Sequence, residues 1–351
     1  MQDKDLERKL LFNPSAEENL KVFGGDTSNI LDLSNIPKDS EIFHKTVDTA
    51  YANNWLPQKV SMADDAYDYK NKMTEDDIKA YDSVLSFLAF LDSIQTNNLP
   101  NLSNYITNPH IVYALARQTY DEAIHSKSYG WIFSSIMSKE KAKDLYFMWK
   151  KNKIMLERNK FIASIYQQFI NRPTEENFTR AVVGNYMLEG IYFYNGFQLF
   201  HTFANRGMMI GSDTQIKYIK RDELNHTVIF ENIIKLIFKE GNNRQSKYEK
   251  MIQGMFKEAV QWEKDFSYEV IGDSILGMSK QSISDYSEYL ANRRLKRIGY
   301  EHIFEDKQNP CKHLDKISGV EDETSNRTNN FEATSISYKS PEILDNWDDL
   351  L

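Results

Sequence analysis

Two stretches of this 351-residue chain carry a Glu-x-x-His pair inside an otherwise apolar helical stripe, Glu122/His125 and Glu223/His226. At about 100° per residue, Glu122, His125 and Tyr129 share one sector with Leu115 and Phe133. Glu223 and His226 share another with Ile216, Ile219, Phe230 and Ile234. Two further helical runs each carry one carboxylate in the same kind of position. Asp92 falls in line with Tyr81, Leu85 and Leu88, and Glu189 with Val182, Phe193, Gly196 and Phe200. A buried charge costs several kcal/mol unless something pairs it. The chain must therefore fold so that four helices turn carboxylates inward around a shared positive charge.

The rest of the sequence agrees with an all-α fold. Only 8 prolines occur, and none lies between residues 110 and 172 or between 174 and 309. Proline breaks helices, so its absence over such lengths favours them. The spacing predicts a helix from about Asp39–Ser40 to Trp55, and one opened by a Thr74/Asp77 capping box and running to about Gln95. Others run from Pro109 to about Ile136, over 140–171, over 175–205, and from a Ser212/Gln215 cap through the second Glu-x-x-His. Residues 244–300 supply one or two more.

Three segments are expected: an N-terminal arm over 1–38, a helical domain over 39–305 and a flexible C-terminal tail over 306–351. Residues 317–340 are polar and poor in large apolar groups, as disordered segments are. Hydrophobes return among acids at Ile343, Leu344, Trp347, Leu350 and Leu351, which suggests a docking peptide. A net charge of −8 argues against nucleic acid as the main partner. No run of 18 apolar residues suggests a membrane span. The N-terminus lacks the apolar core of a signal peptide, and the single cysteine, Cys311, excludes an internal disulfide framework. A cytoplasmic location is the expectation.

Glu-x-x-His arises often by chance, and Glu41/His44 is a third instance. There the apolar stripe is Phe43, Val47, Ala50 and Tyr51, so that pair is expected to face solvent. The other two interrupt the buried stripe itself. A carboxylate from each of two helices and a Glu-x-x-His from each of two others is the ligand set of ferritin-like dimetal proteins. Asp92, Glu122, Glu189 and Glu223 carry four negative charges, which two divalent cations balance, with His125 and His226 neutral. Oxygen-rich ligation with one nitrogen per metal suits iron or manganese better than zinc or copper. A redox-active pair beside Tyr129 suggests one-electron chemistry.

These residues resemble the small, radical-generating beta subunit of class I ribonucleotide reductase. The resemblance rests on Leu91-Asp92-Ser-Ile-Gln95, Glu122-Ala-Ile-His125-Ser-Lys-Ser-Tyr129, Leu188-Glu189-Gly-Ile-Tyr-Phe193 and Arg221-Asp222-Glu223-Leu-Asn-His226, with Asn292–Gly299 and Asn309-Pro310 beyond them. It implies a ferritin-like bundle, two metal ions (iron or manganese), and Tyr129 as the radical tyrosine. Phe193, Phe197 and Ile219 would form the apolar pocket around the radical. Trp55 and Asp222, with His125, would begin a proton-coupled electron path, and Tyr338 would relay it at the subunit boundary. The resemblance further implies a homodimer, and a large alpha subunit that carries the catalytic cysteines and binds the C-terminal tail. No extra nucleotide-binding module is expected before residue 40. A ferritin-like ligand-binding oxidase and an iron-storage protein are the other readings of the ligand set. The first would lack the acidic tail, and the second would form a large cage from a shorter chain.

Overall fold

A computed structural model describes residues 4–314. Among them there are eleven α-helices and no strand, the only β-type pairing being one isolated bridge between Asp5 and Thr174. The helices are α1 (Glu41–Ala52), α2 (Ala63–Asn71), α3 (Glu75–Ser103), α4 (Pro109–Ile136), α5 (Lys139–Tyr146) and α6 (Lys153–Asn171). They continue with α7 (Glu175–Met187), α8 (Tyr194–Asn205), α9 (Ile210–Glu240), α10 (Arg244–Val270) and α11 (Lys280–Arg297). A π-helical turn, Leu188–Tyr192, joins α7 to α8.

The bundle forms around α3, α4, α9 and the α7–π–α8 rod: α3 packs on α4 and on the rod, and α9 packs on α4 and on the rod. Helix α1 lies on α4 and α9, while α10 and α11 cover the outer side of the π turn. The core reads as the stripes demand: Leu85, Leu88, Leu115, Val182, Phe200, Ile216 and Phe230 are all fully buried. None of the described helices is long and apolar enough to cross a membrane.

Helix α3 opens where the sequence places it. The Thr74 hydroxyl accepts from the Asp77 amide at 3.1 Å, and the Asp77 carboxylate accepts from the Thr74 amide at 3.1 Å. The helix runs two turns past Gln95 and contains Pro100, because Asn98, Leu99 and Leu102 are buried there. Tertiary burial outweighs the local cost of the proline.

Elsewhere the structure departs from the expected boundaries. The 140–171 run is two helices, since Asn152 caps a new one by accepting from the Met155 amide at 3.0 Å. Helix α2 has no counterpart in the expected elements, and it supplies the cap expected of Ser212 and Gln215. The Asp65 carboxylate of α2 accepts from the Gly211 amide (2.8 Å), the Ser212 amide (2.6 Å) and the Ser212 hydroxyl (2.6 Å). An anion from another helix thus occupies the positive end of α9. Ser212 lies within α9, and the Gln215 side chain accepts from Ser128.

The expected 175–205 helix is interrupted at the π turn. Its Gly190 lets the Arg294 side chain of α11 approach: a Cβ at that position would lie 2.8 Å from Arg294 Nε. Single π turns inside α-helices are frequent at functional sites, and this one carries Glu189.

Candidate metal centre

Six side chains converge in the middle of the bundle. Ligand-type atoms of Asp92, Glu122, His125 and Glu223 lie within 4.8 Å of one another, as do those of Glu122, Glu189, Glu223 and His226. Glu122 and Glu223 belong to both groups, so the two subsites share a pair of carboxylates. All six side chains are essentially unexposed.

The imidazoles point the same way. His125 Nδ1 is 3.1 Å from Glu223 Oε1 and 3.5 Å from Glu122 Oε2. His226 Nδ1 is 2.7 Å from Glu223 Oε2 and 3.3 Å from Glu122 Oε1. The opposite ring nitrogens face outward to two aspartates. His125 Nε2 lies 3.4 Å from Asp222 Oδ2, and His226 Nε2 lies 3.5 Å from Asp121 Oδ2. Imidazoles that ligate metals are commonly oriented this way, with the second nitrogen donating to a carboxylate.

The chain leaves this cluster chemically incomplete. Both oxygens of Asp92, Glu122 Oε2, Glu189 Oε2, Glu223 Oε1 and His125 Nδ1 have no hydrogen-bond partner. Buried polar atoms are nearly always satisfied, so a concentration of orphans calls for a ligand. Burial, with Glu122 and Glu223 nearby, holds Asp92 and Glu189 well above the usual carboxylate range. Burial alone would lower both histidines, but Glu223 carries each well above its ordinary value. Burial would raise Glu223, yet His125 and His226 draw it down. Without another cation the cluster must hold protons to limit its own repulsion. Two hard divalent ions fit the donor set, each with one imidazole and shared carboxylates.

The outer parts of the site connect to this cluster. The Trp55 indole N–H donates to Asp222 Oδ2 at 2.8 Å, so Trp55, Asp222 and His125 form one connected line. Burial would raise Asp222, but His125, Arg221 and Trp55 hold it below the usual range. The Tyr129 hydroxyl is buried beside Asp92 without completing a hydrogen bond, and burial followed by the Asp92 charge pushes it well up. Phe193, Phe197 and Ile219 are fully buried, and the two rings stack at 5.7 Å. Tyr338 lies outside the described residues.

Residues 35–310 match the family described as "Ribonucleotide reductase, small chain". The chain belongs to this family. The small chain is 35% identical to the ribonucleoside-diphosphate reductase subunit beta of Treponema pallidum, over 97% of each sequence. The ribonucleotide reductase R2 subunit from Clostridium botulinum superposes with a TM-score of 0.85 at 35% identity, covering 90% of this chain and 99% of the other. A dimanganese(II) NrdF protein from Streptococcus sanguinis shares the fold, with a TM-score of 0.73 at 19% identity over 83% of this chain and 99% of that one.

Several further residues shape this small-chain site, and the sequence assigns none of them a role there. Gln95 Nε2 donates to Glu189 Oε1 at 2.5 Å, and Gln118 Nε2 bridges Glu122 and Glu189 at 3.1 and 3.0 Å. Tyr218 lies against Trp55 with ring centroids 5.2 Å apart. Asp121 was legible in principle, because Asp precedes both Glu-x-x-His pairs. Glu41/His44 departs from its expectation in part. Glu41 is exposed, whereas His44 is half-buried with Nε2 2.9 Å from His110 Nδ1, because His110 on α4 offers it a partner across the helix contact.

Proposed function

We propose that this chain is the radical-generating small subunit of a ribonucleoside-diphosphate reductase, storing a one-electron oxidant that its large-subunit partner uses to reduce ribonucleotides. The observation that carries the reading is the pair of overlapping clusters with Tyr129 beside Asp92. Asp92, Glu122 and His125 would hold one ion, and Glu189 and His226 the other, with Glu122 and Glu223 shared between them. Two iron or manganese ions would supply the oxidising power, drawn from dioxygen or a reduced oxygen species.

The chain's own residues then have defined tasks. Tyr129 stores the oxidising equivalent as a neutral phenoxyl once its hydroxyl has lost a proton and the ring an electron. Phe193, Phe197 and Ile219 keep water and reductants from that ring. Asp222 fixes the His125 ring and accepts the Trp55 indole proton, so electron transfer along Trp55 has a local proton acceptor. Glu189 is oriented by Gln95 and Gln118.

In this reading the acidic, amphipathic end of the 306–351 tail docks on the large subunit, with Tyr338 as the relay across the boundary. The 39–305 segment is the helical domain and 1–38 the arm. The subunit works as a cytoplasmic homodimer.

The test is electron paramagnetic resonance of the full chain after Fe(II) loading and exposure to oxygen, with nucleotide reduction measured beside the cognate large subunit. A tyrosyl signal that disappears in Tyr129→Phe, together with activity lost on deleting residues 338–351, is the expected result. Stoichiometric iron with no organic radical, or radical and activity retained in Tyr129→Phe, would overturn the assignment of Tyr129.

A further inference from the structure

The two Glu-x-x-His helices hold each other's histidines. Helix α9 contributes Asp222, which receives His125 of α4. Helix α4 contributes Asp121, which receives His226 of α9. Each aspartate sits immediately before a ligand glutamate, and each is gripped by an arginine of its own helix. Arg117 is 2.7 Å from Asp121, and Arg221 is 3.3 Å from Asp222. Both arginines also reach the C-terminal end of α1. Arg117 donates to the Ala50 carbonyl at 3.0 Å, and Arg221 to the Asn53 carbonyl at 2.6 Å. Carbonyls at a helix end lack partners within the helix, so these are natural seats for the guanidinium groups.

The two arms differ in one respect. Asp222 also accepts from the Trp55 indole. On the other arm Arg117 lies between Tyr51 and Tyr120, 5.1 Å from each ring centroid, and Asp121 is buried. The first arm thus leads from a metal-facing imidazole to an oxidisable ring. The second leads from the other imidazole to an ion pair packed between two surface tyrosines.

We infer that Asp121 is a positioning residue for the His226 subsite: with Arg117 it fixes the His226 ring so that Nδ1 faces Glu122, Glu189 and Glu223, and it sets the affinity of that subsite separately from the one served by Asp222. The inference rests on the dimetal reading and deepens it. A carboxylate on the outer imidazole nitrogen selects the tautomer that leaves Nδ1 free to ligate, and it makes the ring more basic. Loss of such a partner typically weakens metal binding 10–100-fold. Neighbouring helices here give each subsite its own partner, so the two losses should be separable.

The experiment titrates the metal-free full-length chain with Mn(II) alone and follows free and bound Mn(II) by electron paramagnetic resonance. Wild type should take up two ions per chain and show a spin-coupled signal. Asp121→Ala should retain one ion as an isolated Mn(II) signal and bind the second about 10–100-fold more weakly. Asp121→Asn, which keeps an acceptor oxygen, should recover much of the coupled signal. Asp222→Ala should weaken the other ion. If Asp121→Ala fails to fold by circular dichroism, Arg117→Met decides, since it loosens Asp121 while leaving the carboxylate in place, and should weaken the same single ion. Two ions bound with wild-type affinities in the folded variant, or both ions weakened equally, would overturn the inference. A wild-type chain that binds no Mn(II) would instead overturn the dimetal reading beneath it.

Discussion

Two clusters of charge lie buried in this bundle, and they are built on opposite principles. Around Arg158 opposite charges pair within the chain, although Arg158 Nε and Nη1 have no hydrogen-bond partner. Its guanidinium pairs with Glu263 and donates to the Tyr192 carbonyl at 3.2 Å, with the Phe87 and Phe266 ring centroids 3.8 and 4.5 Å away. Glu263 also receives Asn195 at 3.1 Å and Ser267 at 3.2 Å. Around Glu223 there are four carboxylates, two imidazoles and no lysine or arginine among the six, and most of their inward atoms lack partners. The same core thus holds one cluster whose charges are paired by the polypeptide and one whose carboxylates are left facing each other. Burial alone does not distinguish structural from functional charge, whereas the sign of the neighbours does: Glu263 faces an arginine, and the four carboxylates face one another and two imidazoles.

The largest effect expected from breaking this contrast is at Glu223, which belongs to both subsites. Glu223→Ala should abolish binding of both ions and reduce activity with the large subunit to background, while circular dichroism stays helical. Retention of two ions per chain, measured by metal analysis, would show that Glu223 is not shared.

Breaking the charge-paired cluster should instead damage stability. Arg158→Met strands Glu263 in the core and should cost about 3–5 kcal/mol in denaturant unfolding. Adding Glu263→Met should recover most of it, because the pair's desolvation is then removed as well. A single variant as stable as wild type would mean that Glu263 is readily protonated or hydrated.

A third expectation concerns pH in the metal-free protein. Asp92 and Glu189 are raised by burial and by Glu122 and Glu223; the histidines, which burial alone would lower, are raised by Glu223. The folded chain therefore keeps protons that the unfolded chain has released. Stability from these groups is full below their unfolded values, about 4 for the carboxylates and 6.5 for the histidines, and falls as pH rises above them. Glu223 and Asp222 are lowered by their partners against burial and act in the opposite sense, their contribution being lost only in acid. Bound metal replaces the protons and removes the dependence. The melting temperature of chelated protein should thus drop between about pH 6 and 9 while that of loaded protein stays level. Parallel curves would contradict it.

The smallest effect lies away from both clusters. Thr74→Ala removes the cap of α3 and should cost about 1 kcal/mol. It should leave metal stoichiometry unchanged, which separates general stability from the site.

How much of this was legible in sequence depended on whether the signal was local. Helix α4 begins at Pro109 and ends at Ile136 as its spacing predicts, and the Thr74/Asp77 box is present. The six ligand candidates stood out because each interrupts an apolar stripe on its own helix. What escaped was set between helices. The cap of α9 comes from Asp65, 147 positions before Ser212, and the partner of His226 is 105 positions away at Asp121. Asp121 is about 100° off the Glu122 stripe, so helical periodicity alone places it away from the site. The π turn at Leu188–Tyr192 is likewise invisible to a 3.6-residue period, being closed by packing against Arg294.

Anomalous diffraction from a crystal of the full-length chain loaded with Mn(II), collected at the manganese edge, would locate the two ions themselves. Two peaks per chain are expected, one bounded by Asp92, Glu122, His125 and Glu223 and the other by Glu122, Glu189, Glu223 and His226. A single peak, or peaks away from these six side chains, would contradict the dimetal reading.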